Sequence, residues 1–186
     1  KYMDMLGKKC GVDIEWAIDG IDKNIYIIQS RPETVHSNTN NLELQKYILD
    51  EKSAIITTGV SVGNKISCGS VKVLKSVSEH KKFKNGDILV TDMTTPDWEP
   101  LMKISSGIIT NKGGRTCHAA IVAREMGLNA VVGTNNCTSV LKDVKEVTIY
   151  CAGGEEGVIY NDQLKYHTDT IKVDLSTISC ISKLNI

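Results

Sequence analysis

The sequence has no charge excess: its 22 lysines and arginines balance 22 aspartates and glutamates over 186 residues. A chain without a basic or acidic surplus has no electrostatic reason to seek nucleic acid or an anionic membrane, so neither is expected as a partner. It also lacks long apolar runs, and it begins Lys1-Tyr2-Met3-Asp4 with no charged-then-apolar leader. A cytoplasmic chain is expected, not a membrane-spanning or secreted one. Its six cysteines (Cys10, Cys68, Cys117, Cys137, Cys151 and Cys180) contain no Cys-x-x-Cys pair and no histidine at zinc spacing. Free thiols in a reducing compartment are the expectation, which makes the glycosylation-like Asn136-Cys137-Thr138 a chance match.

Arginine is the scarcest cation. Lysine serves almost everywhere, and the three arginines are Arg31, Arg115 and Arg124. A lysine-rich background leaves arginine where a planar, always-charged fork is needed, and phosphate recognition is such a need. Chance clustering is the alternative, and Arg124 can equally pair with a carboxylate on its own helix.

What the chain does contain is 41% hydrophobic residues, enough for one domain with a core plus flanking pieces. Two short apolar segments, around Ile14 and from Ile25 to Ile28, flank the turn-like Asp19 to Asn24 and predict a hairpin too small to fold alone. Glu15 and Gln29 fall on its two arms, with Arg31 on the same face as Gln29. A carboxylate, a carboxamide oxygen and a guanidinium so placed can hold Mg²⁺ and nucleotide phosphates, or form an ordinary polar strand face. The polar stretch His36 to Asn41 reads as a linker, followed by a short helix from Leu42 to Leu49.

From Ile55 to Tyr160 short apolar strands alternate with glycines: Ser70 to Leu74, Asp87 to Val90, Gly107 to Thr110, Asn129 to Val132, Val147 to Cys151 and Gly157 to Tyr160. A helix is predicted from Glu99 to Lys103, and Gly153 to Gly157 reads as a hairpin turn. Strands with a minority of helices predict an α/β fold of the α+β type, with sheets covered on one side. The expected core comprises Ile88, Val90, Ile108, Ile121, Val122, Val131, Val132, Val147 and Ile149. Beyond Leu164 the chain turns polar again.

The candidate for chemistry is His118. A glycine pair, Gly113-Gly114, introduces it, Thr116 serves as N-cap, Ala119 to Met126 form a helix, and Gly127 closes it. An imidazole in the first turn of a helix sits where unpaired N–H groups and the positive dipole end favour an anion. A phosphorylated histidine suits that position better than a metal ligand does. Cys117 is its neighbour in sequence, but adjacent helical residues do not face each other, so a thiol-imidazole pair is not expected. His36, His80 and His167 stand in polar surroundings and are read as structural.

Thr110 to Glu125 closely resembles the phosphohistidine signature of the phosphoenolpyruvate synthase (pyruvate, water dikinase) family. Asp87 to Thr94 with Pro96-Asp97-Trp98-Glu99-Pro100 resembles the loop before that signature. Val12 to Trp16 and Ile28 to Val35 resemble the end of the family's ATP-grasp domain. The resemblance implies a fragment: residues 1–35 ending an ATP-grasp domain, 36–54 a linker, 55–163 a phosphohistidine swivelling β/β/α domain, and 164–186 a linker leading into a phosphoenolpyruvate-binding barrel.

It further implies that His118 carries a phosphoryl group from ATP to pyruvate, giving phosphoenolpyruvate, AMP and phosphate. Gly114, Arg115 and Thr116 would contact phosphate, Arg31 nucleotide, and Glu15 and Gln29 Mg²⁺. Thr116 also matches the threonine that a regulatory kinase or phosphorylase modifies in related dikinases. Asn129 departs from the pattern, standing where the family usually has proline, as do Asn135-Asn136-Cys137; both changes are assigned to a loop. Pyruvate, phosphate dikinase, another phosphohistidine dikinase, and a stand-alone phosphocarrier or interaction module remain the alternatives.

Overall fold

The computed structural model describes residues 12–32 and 43–172. The chain divides into two compact units, residues 1–43 with 172–186, and residues 44–171. The expected linker at 36–41, His36, Cys10, Cys180 and the start of the following barrel lie outside the described residues.

In the first unit β1 (Val12–Ile18) and β2 (Ile25–Pro32) form an antiparallel hairpin that opposes Glu15 to Gln29 and Asp13 to Arg31. Its turn is built by Asp19, whose Oδ1 accepts the N–H groups of Ile21 (2.6 Å) and Asp22 (3.1 Å). This is the local hydrogen bonding that makes aspartate a turn former. Ile14, Trp16 and Ile27 are exposed, so the hairpin has no core of its own.

The second unit is a closed barrel. Its strands are β4 (Ile55–Val62), β5 (Ile66–Val73), β6 (Ile88–Thr91), β7 (Gly107–Thr110), β8 (Asn129–Val132), β9 (Glu146–Tyr150) and β10 (Glu156–Asn161). They run in the ring order β10-β4-β8-β7-β6-β5-β9, and β9 pairs back to β10. β5, β6, β7 and β8 are mutually parallel; the remaining pairings, including both made by β10, are antiparallel. The helices are α1 (Glu99–Ile104), α2 (His118–Met126) and α3 (Cys137–Val140).

Every residue of β6, β7 and β8 is buried, as parallel strands covered on both faces must be. Alternate side chains serve different cores. Ile88, Val90, Ile109, Val131, Val147, Ile149 and Ile159 pack together in one cluster, whereas Leu89, Ile108, Ala130 and Val132 pack under α1 and α2. The expected one-sided sheet is thus corrected to a closed barrel whose parallel strands are buried on both faces. Of the predicted core residues one is misplaced: Ile121 is 47% exposed, because Ala119, Ala120, Val122 and Ala123 occupy the inward face of α2.

Residues read as a helix from Leu42 form β3 (Glu43–Leu49), and the polar stretch after Leu164 forms β11 (Tyr166–Lys172). The two strands pair as a separate ribbon. Helix propensity in this segment is overruled by pairing across the ribbon, where the Tyr47 and Tyr166 rings lie 6.2 Å apart and the Asp50 N–H donates to the Lys165 carbonyl. The glycine-rich segment from Gly153 to Gly157 turns between β9 and β10, as read.

Candidate active site

Two loops that leave the ends of parallel strands build the site. The first follows β6. There Thr94 is buried, a short 3-10 helix (Pro96–Trp98) places Trp98 in the core, and Glu99 opens α1. The second follows β7 and carries Gly113, Gly114 and Arg115 to α2. Gly113 has φ +121°, and a Cβ there would lie 2.7 Å from the Cys117 Sγ, so glycine is required twice over.

His118 is the first residue of α2. The N-cap is Cys117, not Thr116: its backbone is extended, and no side-chain hydrogen bond caps the helix. Thr116 is exposed one position further out. Gly127 ends the helix as expected, left-handed at φ 65°, with its N–H donated to the carbonyls of Ala123 and Arg124.

Around the imidazole, Thr94 Oγ1 lies 3.1 Å from Nδ1. On the opposite edge Glu99 Oε1 stands 3.8 Å from Nε2, longer than a direct hydrogen bond. The ring is mostly covered, with a quarter of the side chain exposed. A small cavity of about 160 Å³ opens here, lined by Met93, Thr94, Lys112, Gly113, Cys117 and His118. One nitrogen is therefore tied to a buried hydroxyl. The other faces a carboxylate and the outside.

The arginines hold the loop. Arg124 Nη1 donates to the Arg115 carbonyl at 2.6 Å, and Arg115 Nη2 pairs with Glu155 at 2.8 Å, both side chains exposed. Arg124 thus fixes backbone where a helical ion pair was the alternative. Beneath the glycines, Lys112 Nζ donates to Asp92 Oδ2 (2.8 Å) and Asn111 Nδ2 to Asp92 Oδ1 (3.0 Å), pinning the two loops together.

The structure therefore brings together His118, Gly114, Arg115 and Thr116 on one loop-helix junction. Glu15, Gln29 and Arg31 belong to the other unit, where Glu15 and Gln29 oppose each other directly across the hairpin. Among the described residues no cluster of three or more His, Cys, Asp or Glu side chains could by itself hold a metal. Thr94 and Glu99 were not singled out from sequence, although both lie in the segments resembling the loop before the signature. Asn129 is buried within β8, not in a loop; its Nδ2 donates to Ser67 Oγ and its Oδ1 accepts from the Lys65 N–H.

Residues 83–154, which contain Thr94, Glu99 and His118, match the family described as "PEP-utilising enzyme, mobile domain", and residues 5–51 match "Pyruvate phosphate dikinase, AMP/ATP-binding domain". The chain is 50% identical over 163 residues to the phosphoenolpyruvate synthase of Pseudomonas aeruginosa, covering 88% of this chain and 21% of that protein. The Escherichia coli phosphoenolpyruvate synthase is 47% identical over 163 residues, covering 88% and 20%. That of Aquifex aeolicus is 44% identical over 178 residues, covering 93% and 21%.

This chain matches a segment of phosphoenolpyruvate synthase. It spans about a fifth of the length of the phosphoenolpyruvate synthases it resembles. Among the described residues no helix is long and apolar enough to cross a membrane. The four cysteines described, Cys68, Cys117, Cys137 and Cys151, are free.

Proposed function

We propose that this chain is the phosphocarrier segment of a phosphoenolpyruvate synthase, with His118 as the group that takes a phosphoryl from ATP and gives it to pyruvate. The observation that carries this reading is the pairing of Nδ1 with Thr94 at the mouth of α2, which leaves Nε2 as the ring nitrogen with no hydrogen bond among the described residues. When the Nδ1–H donates to the Thr94 hydroxyl, Nε2 keeps its lone pair and is the nucleophile. The first-turn N–H groups of α2, which have no acceptor within the helix, then face the anionic group that Nε2 acquires. Splitting the transfer into two steps lets one histidine serve two substrates in turn, here ATP and pyruvate.

In this reading residues 1–35 complete a nucleotide-binding ATP-grasp domain, 55–163 form the swivelling carrier, and 36–54 and 164–186 connect it to the rest of a cytoplasmic enzyme. Arg31 would contact the nucleotide, and Gly114 and Arg115 the phosphoryl group. The opposed oxygens of Glu15 and Gln29 suit a hard cation but supply only part of its shell, so Mg²⁺ would take the remainder from phosphate and water. Bound there, Mg²⁺ would neutralise phosphate charge. Thr116, exposed and two residues from His118, would be the site at which a regulatory kinase silences the carrier, since a second phosphate would repel the first.

The test is labelling of the full-length protein by ATP radioactive in its β-phosphoryl. The native protein should acquire acid-labile, base-stable label, and His118→Ala should acquire none. Label at the native level on the variant would overturn the assignment.

A further inference from the structure

The proposed reaction contains a step for which His118 itself cannot account. AMP can leave only if Nε2 attacks the β-phosphorus: an Nε2–P bond forms and the bond to the AMP oxygen breaks, its electron pair leaving with AMP. The histidine then bears the β-phosphoryl with the γ-phosphoryl still attached. Free phosphate appears only when water attacks the γ-phosphorus, so something must take the proton from that water.

We propose that Glu99 is this base, an inference that rests on the carrier reading of His118. Among the described residues Glu99 is the one carboxylate within 4.0 Å of the imidazole, with Oε1 3.8 Å from Nε2. That spacing leaves the carboxylate uncommitted to the ring. At 41% side-chain exposure it can also turn toward solvent. Its backbone, by contrast, is held: Trp98 before it is buried, and Pro100 after it fixes the first turn of α1. A partly exposed acid on a fixed stem, beside the atom that carries the phosphoryl chain, can reach a water at the far phosphorus.

In the step, a water oxygen bonds to the γ-phosphorus and its proton passes to the Glu99 carboxylate. The bridging bond between the two phosphorus atoms breaks, its electron pair staying on the β-phosphoryl oxygen. Phosphate leaves and a single phosphoryl group remains on Nε2.

The experiment uses full-length protein carrying Glu99→Gln, with ATP labelled separately in its β- and γ-phosphoryl groups. Gln keeps the shape and removes the base. The variant should still take up β-label but retain γ-label on the protein, with release of γ-labelled phosphate slowed about a hundredfold or more. Glu99→Asp, one methylene shorter, should fall between the two. Phosphate release from Glu99→Gln at the native rate would overturn the proposal. So would loss of β-label in this variant alone, since Glu99 would then be needed for the first attack or for folding of the loop. Absence of β-label in the native protein as well would remove the carrier reading itself.

Discussion

Thr94 Oγ1 and His118 Nδ1 make a contact between residues 24 positions apart in sequence, and in the proposed mechanism it bears on which imidazole nitrogen reacts. A buried hydroxyl on Nδ1 holds the ring in one orientation, and it accepts from Nδ1–H in the tautomer that leaves the Nε2 lone pair free. Replacing Thr94 by valine keeps the volume and removes the hydroxyl. Phosphorylation of His118 from ATP should slow by about tenfold, equivalent to about 1.4 kcal/mol in the barrier. Rapid-quench labelling of the full-length protein would measure it, and an unchanged rate would show that the ring is oriented by packing alone.

The short helix α3 shows how a small element is locked. Cys137, its first residue, is fully buried and donates its thiol to Asn111 Oδ1 at 2.9 Å; the same oxygen accepts the Thr138 N–H at 3.1 Å. Burial pushes the Cys137 thiol up from 9.0 to about 11. Between those values the unfolded thiol has lost its proton while the folded one keeps it. The folded state therefore loses stability as pH rises from 9 to about 11, and below 9 the contribution is fully present. Urea unfolding across that window should show the decline, and Cys137→Ser should make it shallower. Cys151, also pushed up by burial, accounts for a remaining slope.

At the same scale the readable elements were those whose sequence carries one face or two. β7 and β8 carry short apolar runs, with Gly107 opening the first and Gly133 following the second, and the limits expected from sequence, Gly107 to Thr110 and Asn129 to Val132, coincide with the strands. β3 and β11 form a solvated ribbon with no core face, so no apolar alternation marks them, and the Leu42 to Leu49 segment displayed helix formers instead. β4 was missed as a strand because Thr57, Thr58 and Gly59 interrupt its apolar pattern; Gly59 is needed where a Cβ would meet the Val132 carbonyl at 2.7 Å. In the site, His118 stood out through its own glycine-led helix start. Thr94 and Glu99 did not, because their roles exist only once the loop after β6 lies against α2.

Across the whole barrel unit, β10 closes the ring by pairing with β4 on one side and β9 on the other. A chain ending before Glu156 would leave two strands with open edges and, by losing Ile159, expose part of the cluster around Ile149. Such a truncation of residues 44–171 should lose cooperative thermal unfolding and elute as aggregate, whereas a stop after Lys172 should not. Circular dichroism and size-exclusion chromatography would distinguish the two, and a cooperative transition in the shorter chain would mean that β10 is dispensable.

The position of β8 also sets a clock. β4 ends at Val62, its neighbours in the barrel begin at Asn129 and Glu156, and no earlier strand pairs with it. At 5–20 residues per second, the roughly 70 residues separating β4 from β8, the first of its partners to be made, take on the order of 3–14 s to synthesise. For that interval β4 leaves the ribosome as an unmated strand. Gly59, which weakens the strand in isolation, makes it a poorer template for wrong partners while it waits.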